Sequence, residues 1–180
     1  MILTDKEIKK MKLISPIVDK VKCNISYGLD PSGYTLCLDN EFWIPKKPKW
    51  WQRLLGKECI LDPMNPEETE KCFNKIRADV VVIPPKSFIL AKAKEFIGMP
   101  TDTTGIALTK STYARVGIFA NITYLDPNWR GYLTIEIANL GYNPVKIYAN
   151  YGIAMITFHK HNEPELEYEG KYQNLDDIKV

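Results

Sequence analysis

The chain has 180 residues, 45% of them hydrophobic and 26% charged, with a formal net charge of +2. Those proportions suit a single domain with a full core, and so small a charge argues against a nucleic acid or a membrane surface as a main partner. No apolar run approaches the ~20 residues that cross a bilayer, and the start MILTDKEIKKMK, charged from Asp5 onward, lacks the apolar stretch of a secretory signal, so the expected compartment is the cytoplasm.

Along the chain, Thr4-Asp5-Lys6-Glu7 has the spacing of a capping box, and a short helix is expected from about Asp5 to Met11, ended before Pro16. Gly28, Pro31 and Gly33 mark a turn, and Tyr34, Leu36 and Leu38 alternate with Thr35, Cys37 and Asp39 as in a half-buried strand. The stretch 44–60 interleaves Lys46, Lys47, Lys49 and Arg53 with Trp50, Trp51, Leu54 and Leu55. Cations among aromatics suit single-stranded nucleic acid. The low total charge favours instead a loop whose tryptophans pack on the body or on a neighbouring subunit. A helical turn or two is expected within Asn65–Lys75.

Further strands are expected at Asp79–Ile83, Ser87–Phe96, Thr103–Leu108, Val116–Tyr124, Tyr132–Asn139, Val145–Ala149 and Ile153–His159. Turn signals separate them at Asp126-Pro127-Asn128, Gly141–Pro144 and Asn150-Tyr151-Gly152. Many short strands with frequent turns imply a mostly β sandwich, jelly roll or barrel. Nothing marks a second domain, so 1–180 reads as one, with the polar tail 162–180 as a mobile arm or lid. Cys23, Cys37, Cys59 and Cys72 form no C-x-x-C pair. Free thiols are expected, and a zinc knuckle is not.

The chemistry concentrates in Lys110–Asn139. Strand parity puts Leu133, Ile135 and Ile137 on a core face and Tyr132, Thr134, Glu136 and Ala138 on the other. A carboxylate within a strand is costly to desolvate unless it is paired, hydrogen-bonded or protonated. Glu136 is therefore either a solvated surface group, an ion-pair partner of Arg115 or Arg130, or a general base in a cleft. Lys110-Ser111-Thr112-Tyr113-Ala114-Arg115 offers hydroxyls, turn amides and a cation at each end to phosphate oxygens. A plain polar turn uses the same residues. His159 and His161 share a face of a strand end, but two imidazoles do not make a metal site.

Taken together, KSTYARVGIFANITYLDPNWRGYLTIEIAN closely resembles the dCTP deaminases of the trimeric dUTPase-like superfamily. MILTDKEI, ISYGLDPSGYTL, VVVIPPKSFILAKAKEFIGMP, NPVKIYANYGIAMITF and GKYQ also follow that pattern, which covers nearly the whole chain except 45–57. The resemblance implies a distorted jelly-roll β-barrel with short helices. It also implies a homotrimer with active sites between subunits, and hydrolysis of dCTP to dUTP and ammonia. Magnesium would ride on the triphosphate, and dTTP is a candidate feedback inhibitor. By the same resemblance Glu136 activates water, while Ser111 and Arg115 orient it. Lys110, Ser111 and Thr112, with Tyr113 and Ala114 in the same segment, meet the phosphates. Asp126 lies beside the sugar and base, Thr134 and Ile135 read the pyrimidine through their backbone, and Tyr168 and Lys171 close over the triphosphate. The H-x-E and P-C-x-x-C signatures of zinc deaminases are absent from the sequence, so no zinc is expected.

Three positions depart from the family pattern: Thr35 in place of Asp, Met155 in place of Gln, and an apolar Leu175 in the tail. Two alternatives follow. LDPNWRG resembles the dUTPase segment in which an Asp activates water, so Asp126 leaves room for a bifunctional enzyme releasing dUMP. The three departures would also suit a nucleotide-binding relative without catalysis.

Overall fold

The computed structural model describes residues 1–121, 124–166 and 168–180, and for Arg53 the backbone alone. In chain order the elements are α1 (Asp5–Met11), β1 (Ile14–Ser15), β2 (Gly28–Asp30), β3 (Gly33–Pro45), α2 (Trp50–Leu54), α3 (Pro66–Glu70), β4 (Phe73–Arg77), β5 (Val80–Ile83), β6 (Ser87–Gly98), β7 (Thr103–Thr109), α4 (Ser111–Ala114), β8 (Ile118–Asn121), β9 (Arg130–Asn139), β10 (Val145–Tyr148) and β11 (Gly152–Lys160). α1 begins at the capping box, where the Glu7 carboxylate accepts hydrogen bonds from the Thr4 amide and hydroxyl, each at 2.8 Å.

The main sheet runs β7-β11-β3-β6-β9-β8, with β1, β2 and β4 added at its margins, and β10 pairs with β5 separately. The path nearly closes on itself. Thr109 at the end of β7 donates its hydroxyl to the Ala120 carbonyl of β8 at 3.0 Å and accepts the Ala120 amide at 2.8 Å. Gly105 of β7 also bridges to Leu125. The result is the expected mostly β, distorted barrel with short helices. Its interior holds Leu36, Leu38, Phe42, Ile89, Ile97, Ile135, Ile137, Ile153, Ile156 and Phe158, all fully buried.

Several sequence expectations change. Tyr34–Leu38 is buried at every position, not at alternate ones. β3 is an inner strand, hydrogen-bonded along its edges to β11 and β6, and Thr35 and Cys37 on its second face are covered as well, at 1% and 4% exposed. α2 and β4 have no clear local signal in the sequence; β4 pairs antiparallel with the far half of β3 and buries Phe73 beside Trp43. The expected strand Val116–Tyr124 is described from Ile118 to Asn121, and part of its remainder lies outside the described residues. Cys59 and Cys72 are not free thiols but a disulfide, their Cα atoms 5.6 Å apart. The chain doubles back between them, where the Asp62 amide donates to the Thr69 hydroxyl at 2.8 Å and that hydroxyl donates to the Asp62 carbonyl at 2.7 Å. Cys23 is exposed and free, and Cys37 is buried and free.

The segment 162–180, expected as an arm, lies along the barrel. The Trp129 indole donates to the Tyr172 carbonyl at 2.8 Å, and Gln173 accepts from the Arg130 amide and donates to the Asn128 carbonyl. Ile178 enters a small second core with Trp43, Cys72, Phe73 and Leu90. Gly131, at φ +150°, is where the tail crosses closest, and a Cβ there would stand 2.7 Å from the Leu175 amide nitrogen.

Candidate active site

β9 carries the alternation that strand parity demands. Leu133, Ile135 and Ile137 are buried in the barrel, while Tyr132, Thr134, Glu136 and Ala138 are half-buried on the opposite face. Thr134 and Glu136 open onto a cavity of about 190 Å³. Its walls come from three places in the chain: Tyr124, Leu125, Asp126 and Trp129 of the turn before β9, β9 itself, and Tyr168, Tyr172, Leu175 and Lys179 of the docked tail. The tail therefore forms one wall of the cavity.

Burial pushes the Glu136 carboxyl above the usual carboxylate range, and a hydrogen bond from Asn121 partly offsets that. Asn121 stands opposite Glu136 in the β8–β9 register, and its amide donates to Oε2 at 3.4 Å. A carboxylate at a cavity wall with a desolvation-raised pKa has the makings of a general base. Asn121 was not singled out in the sequence. Only the pairing of β8 with β9 places it there.

The Lys110–Arg115 segment lies elsewhere. Among the described residues none of these six lines the Glu136 cavity. Ser111, Thr112, Ala114 and Arg115 are exposed on and just after α4. Tyr113 has a different place from its neighbours, because its ring is buried in the core and its hydroxyl accepts the Tyr148 amide at 3.4 Å. Lys110 is half-buried, and burial, reinforced by Lys20, lowers its pKa. Lys20 in turn pairs with Asp30. Burial alone would raise the Asp30 carboxyl, but hydrogen bonds from Lys20 and Thr35 hold it below the usual range. Of the remaining expected residues, Asp126, Thr134 and Tyr168 line the cavity. The Ile135 side chain is wholly buried and faces away from it, and the Lys171 ammonium sits over the Tyr172 ring at 4.6 Å. Among the described residues no group of three or more His, Cys, Asp or Glu side chains is placed to hold a metal ion.

A dCTP deaminase-like family model matches residues 2–161. The chain belongs to the dCTP deaminase-like family. The dCTP deaminase of Acidobacterium capsulatum is 42% identical over 158 residues, spanning 86% of this chain and 81% of the relative. That of Herpetosiphon aurantiacus is 39% identical over 182 residues, spanning 96% and 94%. The crystal structure of 2'-deoxycytidine 5'-triphosphate deaminase from Agrobacterium tumefaciens shares the fold, with a TM-score of 0.64 at 15% identity. It is matched over 87% of this chain, which spans 47% of the length of that one.

Within the family pattern, two of the three departures have structural places. Thr35 donates its hydroxyl to Asp30 Oδ2 at 2.6 Å, so it joins the Lys20–Asp30 pair beside Lys110. Leu175 is buried and forms part of the cavity wall. Met155 is half-buried on β11, opposite both Thr35 and Leu108.

One titratable group outside these sites has no local signal in the sequence. Glu95 is 2% exposed within the irregular stretch where β6 shifts register against β9. Its carboxylate accepts the Cys37 amide at 3.1 and 3.2 Å and the Tyr34 hydroxyl at 3.3 Å. Burial pushes it up to about 7.

Proposed function

We propose that the protein hydrolyses dCTP to dUTP and ammonia without zinc, with Glu136 as the group that activates water. The observation that carries this reading is a desolvated carboxylate on the wall of a cavity it shares with Asp126, Thr134 and Tyr168. Relatives of about 40% identity along most of their length bear the name dCTP deaminase. In this mechanism Glu136 takes a proton from water as the water oxygen bonds to C4 of the cytosine. The carboxyl then delivers that proton to N3 of the ring. The second proton of the added water passes to the amino nitrogen as the C4–N4 bond breaks, leaving a 4-oxo ring protonated at N3 and ammonia. The raised pKa makes Glu136 a stronger base than an ordinary carboxylate while leaving it ionised above its own titration. Thr134 and the backbone of Ile135 read the pyrimidine, and Asp126 lies beside the sugar.

The phosphate side is completed by a second copy of the chain. Lys110, Ser111, Thr112 and Arg115 have the chemistry to hold a triphosphate and its magnesium, and to orient Glu136 and the water, yet they lie away from the cavity within one protomer. A homotrimer would bring one protomer's α4 to the next protomer's Glu136. Ile106 and Leu108 on β7, with Phe119 on β8, leave 42%, 61% and 51% of their surface open in the isolated chain, and such apolar exposure suits an interface. The tail, through Tyr168 and Lys171, covers the bound nucleotide. dTTP would compete for the same site as a feedback inhibitor.

The test incubates the protein with dCTP, and separately with dUTP, each with magnesium, and identifies products by chromatography. dUTP and ammonia from dCTP support the reading. dUMP from both substrates would make the enzyme bifunctional, with Asp126 activating a second water. No turnover of either would sink the enzymatic reading. The shared site has its own test. Glu136→Gln and Ser111→Ala variants, each inactive alone, should regain part of the activity when mixed and reassembled, because some sites then draw both intact halves. No recovery after demonstrated exchange of subunits counts against a shared site.

A further inference from the structure

The insertion at 46–72 forms a built platform. Its ends are joined by two bonds from Lys46, whose amide donates to the Cys72 carbonyl and whose ammonium donates to the Lys71 carbonyl at 2.7 Å, and the Cys59–Cys72 disulfide ties its middle to its far end. The Lys49 amide donates to the Gln52 side chain at 2.7 Å, and the Lys57 amide to the Gln52 carbonyl at 2.8 Å, which shape the turn around α2. One open cavity of about 550 Å³ is lined by Lys46, Lys47, Lys49, Lys57 and Lys71, with Glu58 the one acidic residue among its lining. For comparison, the whole chain carries only +2. The segment as a whole is nearly neutral, with six cations against five acidic residues and Lys71 paired to Glu68, but its lysines collect on the face that lines this hollow. A second open cavity, about 460 Å³, shares Lys47 and Pro48 with the first and is walled by Trp50.

The tryptophans do not pack on the body of the chain. Trp50 is 76% exposed, so it does not pack on the body of its own chain. Trp51 is also open, at 42%. Two contiguous hollows, open to solvent, the first lined by lysines and the second edged by the exposed Trp50 indole, fit a chain-like ligand. Its phosphates would meet the lysines and its bases would lie on flat aromatic faces. We infer that the 46–72 platform binds single-stranded nucleic acid, with Lys46, Lys47, Lys49 and Lys57 contacting phosphates and Trp50 stacking on a base. Duplex DNA keeps its bases stacked inside and offers none to Trp50. The site is independent of the deaminase cavity and of the reading given to it.

The experiment titrates the intact protein into a fluorescently labelled oligothymidylate and follows anisotropy at several salt concentrations. Saturable binding is expected at low salt, with log K falling against log salt at a slope of about −0.7 per lysine–phosphate contact. Trp50→Ala should weaken binding by on the order of tenfold. Lys47→Ala combined with Lys49→Ala should make the slope shallower by about 1.4. Turnover of dCTP by these variants should match the parent, which also reports that they fold. Four results would overturn the inference: no saturable binding at low salt, equal affinity for a duplex of the same length, Trp50→Ala binding as the parent does, or Trp50→Ala changing the oligomeric state, which would place Trp50 between subunits.

Discussion

Glu95→Gln isolates the energetic cost of a carboxyl sealed into the barrel. Burial raises the Glu95 carboxyl from the ordinary 4.5 to about 7, against the opposing hydrogen bonds from Cys37 and Tyr34. A tenfold change in proton affinity corresponds to about 1.4 kcal/mol, so the difference between the folded and unfolded chain corresponds to about 3 kcal/mol. The sign follows from which state holds the proton. Below 4.5 the carboxyl is neutral in both the folded and unfolded chain, and its contribution to stability is intact. Between 4.5 and 7 the unfolded chain ionises while the folded one keeps its proton, so stability is lost as pH rises, and the loss levels off above about 7. Glutamine keeps the shape and an oxygen acceptor for the Cys37 amide but cannot ionise. The variant should therefore match the parent below 4.5 and exceed it by up to about 3 kcal/mol above 7. Urea unfolding of both proteins across that range, at one protein concentration, measures the difference. A difference that does not change with pH, or a variant that loses ground to the parent as pH rises, would refute this account. The same substitution should ease Cys37, whose thiol burial and the Glu95 charge push up to about 12.

The other expectations are more local. Glu136→Gln should lower kcat for deamination by at least about a hundredfold while nucleotide binding persists; because the base must be ionised and its pKa is raised, the parent's activity should fall with acidity at a pH above the usual carboxylate range. A fully active variant would remove Glu136 from the chemistry. Gly131→Ala puts a Cβ against the Leu175 backbone at a φ that disfavours side chains, so the tail should lift, shown by faster proteolysis beyond Gly170 and a higher KM for dCTP; an unchanged digestion pattern would deny that the tail is held there. Cys59→Ser, at an exposed position, removes the link across 13 residues and should cost about 3 kcal/mol on denaturation, and the unfolded parent should titrate two thiols without reductant and four with it.

What could be read directly from the sequence is what short-range chemistry dictates. The Thr4–Glu7 capping box needs only four residues, and it starts α1 where expected. The two-residue period of β9 puts Glu136 on the face opposite Ile135 whatever the strand packs against. The many short strands and their turns announced a β sandwich, jelly roll or barrel, and the motif between Lys110 and Asn139 announced its family. The rest depended on contacts between distant segments. Local alternation made Tyr34–Leu38 half-buried, whereas in the fold Thr35 and Cys37 are covered as fully as their neighbours. Asn121 reaches Glu136 through strand register, Glu95 meets Cys37 across 58 residues, and Cys59 finds Cys72 where the chain doubles back around α3. The cavity wall contributed by the tail depends on an indole bonding a carbonyl 43 residues away. Period and spacing determine which way a side chain points, whereas the fold decides what it meets. For that reason the sequence placed Glu136 on the correct face but could not show that Lys110–Arg115 lie away from it within a single protomer.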